Sequence, residues 1–496
     1  MSALSLALPL SVGILFAWMA TRQYAKSGFF RILFSIGLGI LIGLVTDAFF
    51  TLISIWLIPE YRMFPLILEV PAAALCVVRI YFRREKPGYP DSNAKVIRPS
   101  AALLFSISML IIIGNILYVI VLSSGMPHGN WDAWAMWNTR ARILAFSDHW
   151  QDVFSPYLAH ADYPILLPLW IAGKWRMIGS ATPLVPICTQ IIIYIGILFL
   201  AIGFIGLYSG AVFAAVGGVV IAIFASLPEY MPWQYADPLI AFTFVSAMVC
   251  LLMLDHTDEI AGYIAAGMCI GAPIAVKAEG GTFFVFAISA LMFRLWYRSE
   301  QRMWRMGKIA GFVSGMAVPI FVFLFGKIFG TSHSDMFGHL FASGSKILYA
   351  VTDLQRHITI IRHIYHLLTP WIPLMMLSVG FVVCYSLYEK RKFEPLCLAF
   401  FLIVLAQCGI YYLAYLFTPH DLGWHLATSA DRLILQISPA FLILLFSLFP
   451  RLVVSGEFSD SAYHSPLMIH PNIALRTFHK KPNRNTDAPQ NTVSRS

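Results

Sequence analysis

Charge is scarce in this chain: Asp, Glu, Lys and Arg make up 12% of its 496 residues, about half the ~25% usual in a soluble domain. That excludes a water-soluble globular protein. What fills the gap is apolar: 59% of residues are hydrophobic and the mean hydropathy is +0.74. Apolar runs of about 17–25 residues recur from end to end, long enough to cross a hydrocarbon core about 30 Å thick. Cysteine is missing from the long polar loops. All seven (Cys76, Cys188, Cys250, Cys269, Cys384, Cys397 and Cys408) lie in or beside apolar segments without metal-like spacing, so neither disulfides nor a zinc site are expected. The first apolar run has no basic segment before it, and Arg22 and Lys26 follow it, as suits an uncleaved anchor rather than a signal peptide. The net charge of +9 is no sign of nucleic acid, because Lys and Arg sit in short clusters between apolar runs, as cytoplasmic loops do.

The expected architecture is all-α, a polytopic bundle of about thirteen spans. Their approximate limits are 4–20, 32–58, 64–82, 101–124, 183–206, 211–228, 234–254, 260–276, 281–297, 309–330, 366–388, 395–417 and 432–450. Basic clusters at Arg22/Lys26/Arg31, Arg83 to Arg98, Arg294 to Lys308 and Lys390 to Lys392 mark the cytoplasmic side. Threading the spans between them puts the N-terminus outside and the C-terminus inside. Residues 163–178 are short for a span, and counting them would send the Arg294–Lys308 cluster outside. They end in Lys174, Trp175 and Arg176, which suit a helix lying at the outer interface. Segments 125–182, 229–233, 277–280, 331–365 and 418–431 then fall on the outer face. Residues 1–99 are read as additional N-terminal helices, 100–452 as the main module and 453–496 as a disordered cytoplasmic tail.

The unusual polar residues gather on that outer face. In Gly129-Asn130-Trp131-Asp132-Ala133-Trp134-Ala135-Met136-Trp137-Asn138, a carboxylate walled by tryptophans at a membrane surface sits in a poor dielectric, which suits it to accept a hydroxyl proton. The plainer alternative is an aromatic belt with an incidental acid. Asp162-Tyr163-Pro164 offers a second acid, whose plain role is helix capping. Two carboxylates on one outer loop also make a candidate divalent-metal site or acid/base pair. Tyr235-Ala236-Asp237-Pro238 opens a span with an acid that the helix dipole favours. Lys277-Ala278-Glu279-Gly280-Gly281 places costly charges at membrane depth, either paired with each other or set for a phosphate. Finally, His420, Asp421, Trp424, His425, Asp431 and Arg432 crowd the segment before the last span. Arg432 at a helix start opposes the dipole, so an anion should compensate it, either a phosphate or Asp431.

These motifs resemble the GT-C superfamily of integral membrane glycosyltransferases, which includes protein O-mannosyltransferases and the lipid A aminoarabinose transferase. The resemblance rests on Trp131 to Asn138, Asp162-Tyr163-Pro164, Tyr235-Ala236-Asp237, the Lys277-x-Glu279-Gly280 turn, Thr418 to His425 and Asp431 to Gln436. It covers about residues 100–450. It implies transfer of a hexose-type sugar from a polyprenyl-phosphate donor to a lipid, glycan or protein acceptor, with inversion, at the outer face of a bacterial inner membrane. By that resemblance Asp132 is the base, Asp162 the second outer acid, Asp237 the Asp-Pro position and Arg432 the loose counterpart of the residue meeting the lipid phosphate. Trp131, Trp134, Tyr163, Tyr235, Lys277, Glu279, His420, Asp421, Trp424 and His425 are the expected substrate contacts. Lys277, His425 and Arg432 are expected to stabilise the leaving phosphate. The rival is a transporter or flippase of a polar or lipid-linked solute. It needs polar groups near the midplane and a repeat symmetry that the sequence does not display.

Overall fold

The computed structural model describes residues 2–22, 28–82, 99–224, 227–254, 257, 259–297, 306–330 and 344–450. The expected basic cluster at 83–98, most of that at 294–308 and the tail from 451 onward lie outside them. All of the described residues belong to one compact unit, Met1–Leu452. Its described residues form helices and no strand, because inside lipid only a helix or a closed barrel satisfies every backbone N–H and C=O.

The helices are α1 (Ser2–Ala20), α2 (Gly28–Leu57), α3 (Phe64–Phe82), α4 (Pro99–Gly125), α5 (Asn138–Phe146) and α6 (Leu166–Ile178). Next come α7 (Leu184–Tyr208), α8 (Ala211–Ile223), α9 (Leu227–Tyr230), α10 (Asp237–Met253), α11 (Ile260–Gly271) and α12 (Glu279–Tyr297). The last are α13 (Met306–Phe329), α14 (Gly344–Thr352), α15 (Leu354–Leu368), α16 (Ile372–Tyr388), α17 (Pro395–Leu416) and α18 (Leu422–Ser447). Nine of the described apolar helices are long enough to cross a membrane, α15 and α16 counting as one run, and four shorter ones are α8, α10, the 260–275 stretch and α12.

Packing relies on close backbone approach. A Cβ on Gly13 of α1 would lie 2.0 Å from the Gly39 carbonyl oxygen of α2, and one on Gly43 would lie 2.4 Å from that of Pro9. Gly39 and Gly43 are four apart, the small-xxx-small spacing that lets membrane helices touch. Gly267 and Gly315 do the same for α11 and α13, each 2.0 Å from a partner carbonyl oxygen. Helix α10 is buried along its whole length, packed among α7, α11, α12 and α18. Helices α3, α4, α16 and α17 turn apolar side chains outward, among them Leu75, Leu110, Leu117, Met376, Leu377 and Leu402. A continuous apolar exterior of this kind marks a surface meant for lipid.

Three expectations change. Helix α6 is short, as anticipated, but it does not lie on the surface: Leu166 to Met177 are all buried, against α2, α5, α7 and α1. Lys174 pairs with Asp47, Trp175 donates to the Thr182 carbonyl and Arg176 to that of Pro59, so all three serve internal contacts. The segment 418–431 is a turn only as far as Asp421, whose carboxylate caps α18 by accepting from the Trp424 N–H at 2.8 Å. Arg432 therefore lies in the body of α18. Residues 344–352 and 354–365, expected in an outer loop, are helical, with α15 capped by Asp353.

Candidate functional site

Beyond α4 the chain turns at Gly129, whose φ of +72° favours glycine and where a Cβ would lie 2.7 Å from the Trp233 carbonyl oxygen. Gln234 clamps this turn: its side chain donates to the carbonyls of Met126 (3.3 Å) and Pro127 (3.1 Å) and accepts from Asn138 (3.0 Å). Asp132 follows, just before one π-helical turn, Ala133–Trp137, that runs into α5. Such turns are frequent at functional sites. The tryptophans divide: Trp137 is buried and stacked on Tyr163, while Trp131 and Trp134 are half-exposed and meet edge to face at 6.1 Å.

Asp237 begins α10, yet it caps nothing. Its Oδ1 accepts from Lys277 Nζ at 3.0 Å and from Gln436 Nε2 at 2.6 Å, and its Oδ2 accepts from Arg432 Nη2 at 2.8 Å and Nε at 3.1 Å. Arg432 Nη2 also donates to Asp132 Oδ2 at 2.6 Å, and its guanidinium lies 4.6 Å over the Tyr235 ring. Lys277 also holds Glu279 Oε1 at 3.2 Å and stands 5.8 Å from the Tyr163 ring centroid. Tyr411 supports Gln436 at 2.7 Å, and Gln407 donates to the Glu279 carbonyl at 3.2 Å. Five charged residues drawn from four places in the sequence thus form one network. Asp237 (0% exposed) and Lys277 (4%) are its floor, while Asp132, Glu279 and Arg432 (14–15%) are its rim.

The anion that compensates Arg432 is therefore Asp132 together with Asp237. Asp431 accepts instead from the Tyr230 hydroxyl on α9, and its Oδ1 takes the Arg432 backbone N–H. Lys277 is opposed by burial, but Asp237 and Glu279 outweigh this and hold its ammonium above its ordinary value. Burial, with Glu279 and Asp162 adding to it, pushes the Tyr163 phenol well up.

Other expected residues stand apart from the network. Asp162 neither caps α6, whose N-cap is Ile165, nor pairs with Lys277 or Arg432. It faces Arg140, a wholly buried arginine that donates to the carbonyls of His160 and Tyr163 and whose value burial lowers to about 10. His425 bonds Thr418 at 2.8 Å and packs on Tyr415, with His420 and Trp424 beside it. Seven residues separate it from Arg432, two helical turns or about 10 Å, so this group forms a separate aromatic cap. A cavity of about 150 Å³ opens beside the π turn, lined by His128, Trp134, Asn138, Thr139, Arg142 and Trp175 among others. Asp132, Asp162, Asp237, Lys277 and Arg432 do not line it. Among the described residues no group of three or more His, Cys, Asp or Glu could hold a metal ion.

Gln436, Gln407, Tyr411 and Arg140 were given no role from sequence. Gln436 belongs to the quoted Asp431–Gln436 motif, but a neutral amide in an apolar run carries no visible partner. The chain matches no family model, no curated protein and no solved structure.

Proposed function

We propose that the chain is a GT-C-like, polyprenyl-phosphate-sugar-dependent inverting glycosyltransferase of about thirteen spans, working at the outer face of a bacterial inner membrane. The observation that carries this reading is the half-buried network of Asp132, Asp237, Lys277, Glu279 and Arg432 beside exposed tryptophans. Its polarity fits a lipid-linked anionic donor and a hydroxyl acceptor. Asp132 accepts the acceptor's hydroxyl proton as the oxygen attacks the anomeric carbon. The bond from that carbon to the phosphate oxygen breaks, and its electron pair leaves with the polyprenyl phosphate. Lys277 and Arg432 meet the charge that develops there, the electrostatic task that usually dominates such a barrier.

The partners of Arg432 refine this assignment. Arg432 is already bound by Asp132 at the rim and by Asp237 beneath. A donor phosphate competes with Asp132 for Arg432, so donor binding frees the base in the same step. Asp237 stays behind as the positioning residue for both cations. Trp131, Trp134 and the cavity beside Trp134 offer aromatic surface for a sugar or lipid acceptor. The direct test incubates the purified protein with labelled polyprenyl-phosphate sugars and membrane extract, following release of polyprenyl phosphate. Donor binding without release would sink the transferase reading.

A transporter or flippase is the second reading, and one observation favours it: Asp47, Glu69 and Lys174 are ionisable and buried inside the bundle, where such groups often mark ion pathways. A carrier would move the lipid-linked solute across a vesicle membrane and form no glycosidic bond.

A further inference from the structure

A second charged cluster joins α2, α3 and α6. Lys174 Nζ donates to Asp47 Oδ1 at 2.6 Å, with both side chains 0% exposed, and stands 4.2 Å over the Trp170 ring. Glu69 of α3, 1% exposed, lies against Asp47. Thr51, one turn beyond Asp47, fits against Gly173, where a Cβ would lie 2.3 Å from Thr51 Oγ1. That glycine lets α6 come close enough for the neighbouring Lys174 to reach Asp47. Asp47 and Lys174 are the charges that act on Glu69, and the other charged side chains of the surrounding helices are engaged elsewhere. Helix α1 has none, Arg31 of α2 donates to the Trp18 carbonyl, and Arg79 of α3 is ten residues beyond Glu69. Arg140 of α5 donates to the His160 and Tyr163 carbonyls, and Arg142 lines the cavity beside the π turn. Arg176 of α6 donates to the Pro59 carbonyl, and on α13 Lys308 stands over the Tyr263 ring and Lys327 donates to the Asp162 carbonyl.

Two independent counts converge on one missing positive charge. Lys174 is one positive charge beside two carboxylates and can neutralise only one of them, although an uncompensated buried charge costs several kcal/mol even after relaxation. The acceptors are in surplus as well. Asp47 Oδ2 and both Glu69 carboxyl oxygens are buried with no hydrogen-bond partner, against the rule that buried polar atoms are paired. Two carboxylates face to face offer only acceptors. One proton between them removes the surplus charge and supplies the missing donor. We infer that Asp47, Glu69 and Lys174 form a proton-binding site near the turn of the α2–α3 hairpin, holding one proton between the two carboxyl groups with Lys174 as fixed counter-ion. The site stands independently of the glycosyl-transfer reading.

Infrared difference spectroscopy of the purified protein at neutral pH tests it. The wild type should show a protonated-carboxyl C=O band that is lost in Glu69→Gln. That variant should unfold at nearly the same temperature, because its amide donates to Asp47 where the proton did. The folded wild type keeps a proton that the unfolded chain releases, so its unfolding temperature should fall as pH rises above neutral. Glu69→Gln should lack that part of the slope. No band lost in Glu69→Gln, with stability rising as sodium replaces potassium, would overturn the proposal in favour of a metal cation. No lost band and no sodium effect would overturn it in favour of two carboxylates solvated by trapped water. Should Glu69→Gln fail to fold, the wild type's own pH slope and sodium response decide, a flat slope counting against the proton.

Discussion

At Asp132 the decisive comparison is between shape and proton affinity. Asp132→Asn keeps the side chain's outline and removes the proton acceptor, so turnover should fall by about 10²–10⁴-fold, the usual contribution of a general base. Donor affinity should hold or tighten slightly, because Arg432 loses one of its two carboxylate partners. Arg432→Ala acts on the other term. If it holds the donor phosphate, its loss should raise the donor Kd by about 10- to 100-fold, the equivalent of the ~1.5–3 kcal/mol of a hydrogen bond to a charged group. Turnover should also slow if that contact tightens as the phosphate departs. Binding of a labelled donor alongside single-turnover rates separates the two. Unchanged turnover in Asp132→Asn would end its assignment as base and make Asp162 the acid to examine. Lys277→Met should destabilise the fold as well as slow turnover, because it leaves Asp237 and Glu279 without their shared ammonium in a nearly dry site. Loss of one partner of a buried pair costs about 3–5 kcal/mol, which a large drop in the unfolding temperature in detergent would register.

Between helices, fit is set by glycines whose neighbours differ. Gly173→Ala drives a methyl group into Thr51 Oγ1 and pushes α6 from α2, straining the Lys174–Asp47 pair. Overpacking of this kind costs about 1–3 kcal/mol. Gly409→Ala in α17 meets nothing within 4 Å and should leave stability unchanged or slightly raised, since glycine disfavours a helix interior by about 1 kcal/mol. Thermal unfolding of the two variants in one detergent makes the comparison; equal shifts would mean that the α2–α6 contact is looser than it stands. The same elements explain what was legible beforehand. Asp132, Asp237, Lys277 and Arg432 were visible because a charge at the edge of an apolar run needs a reason. The amides of Gln436 and Gln407 need none until their partners are seen. Sequence alone does not separate α6 from a surface helix, because Lys174, Trp175 and Arg176 read the same whether they face headgroups or Asp47, Thr182 and Pro59. The start of α18 reads as loop in the sequence because its polar residues hide the cap at Asp421.

Across the whole molecule, the ion network constrains which helices cross the membrane. Asp132 follows α4 and Asp237 opens α10, yet both bind Arg432. The crossings between them must therefore be even in number, and α7 and α8 supply two. Were α6 to cross as well, the count would be three and the two carboxylates would lie on opposite faces. From Asp237, two further crossings (α10 and α11) lead to Lys277, and four more (α12, α13, the α15–α16 run and α17) lead to α18. The whole network can then sit at one face. The positive-inside reading of the basic clusters proposes the outside for that face. Between Tyr157, which is 96% exposed, and position 300 the proposed thirteen-span reading counts five crossings: α7, α8, α10, α11 and α12. In a chain first freed of its own seven cysteines, Tyr157→Cys should react with an impermeant thiol reagent in intact cells. Glu300→Cys should react only after the membrane is opened. Labelling of both from outside would make α6 a sixth crossing, or remove one of the short helices from the count. Labelling of Glu300→Cys alone would turn the bundle over and move the proposed active site to the cytoplasmic face.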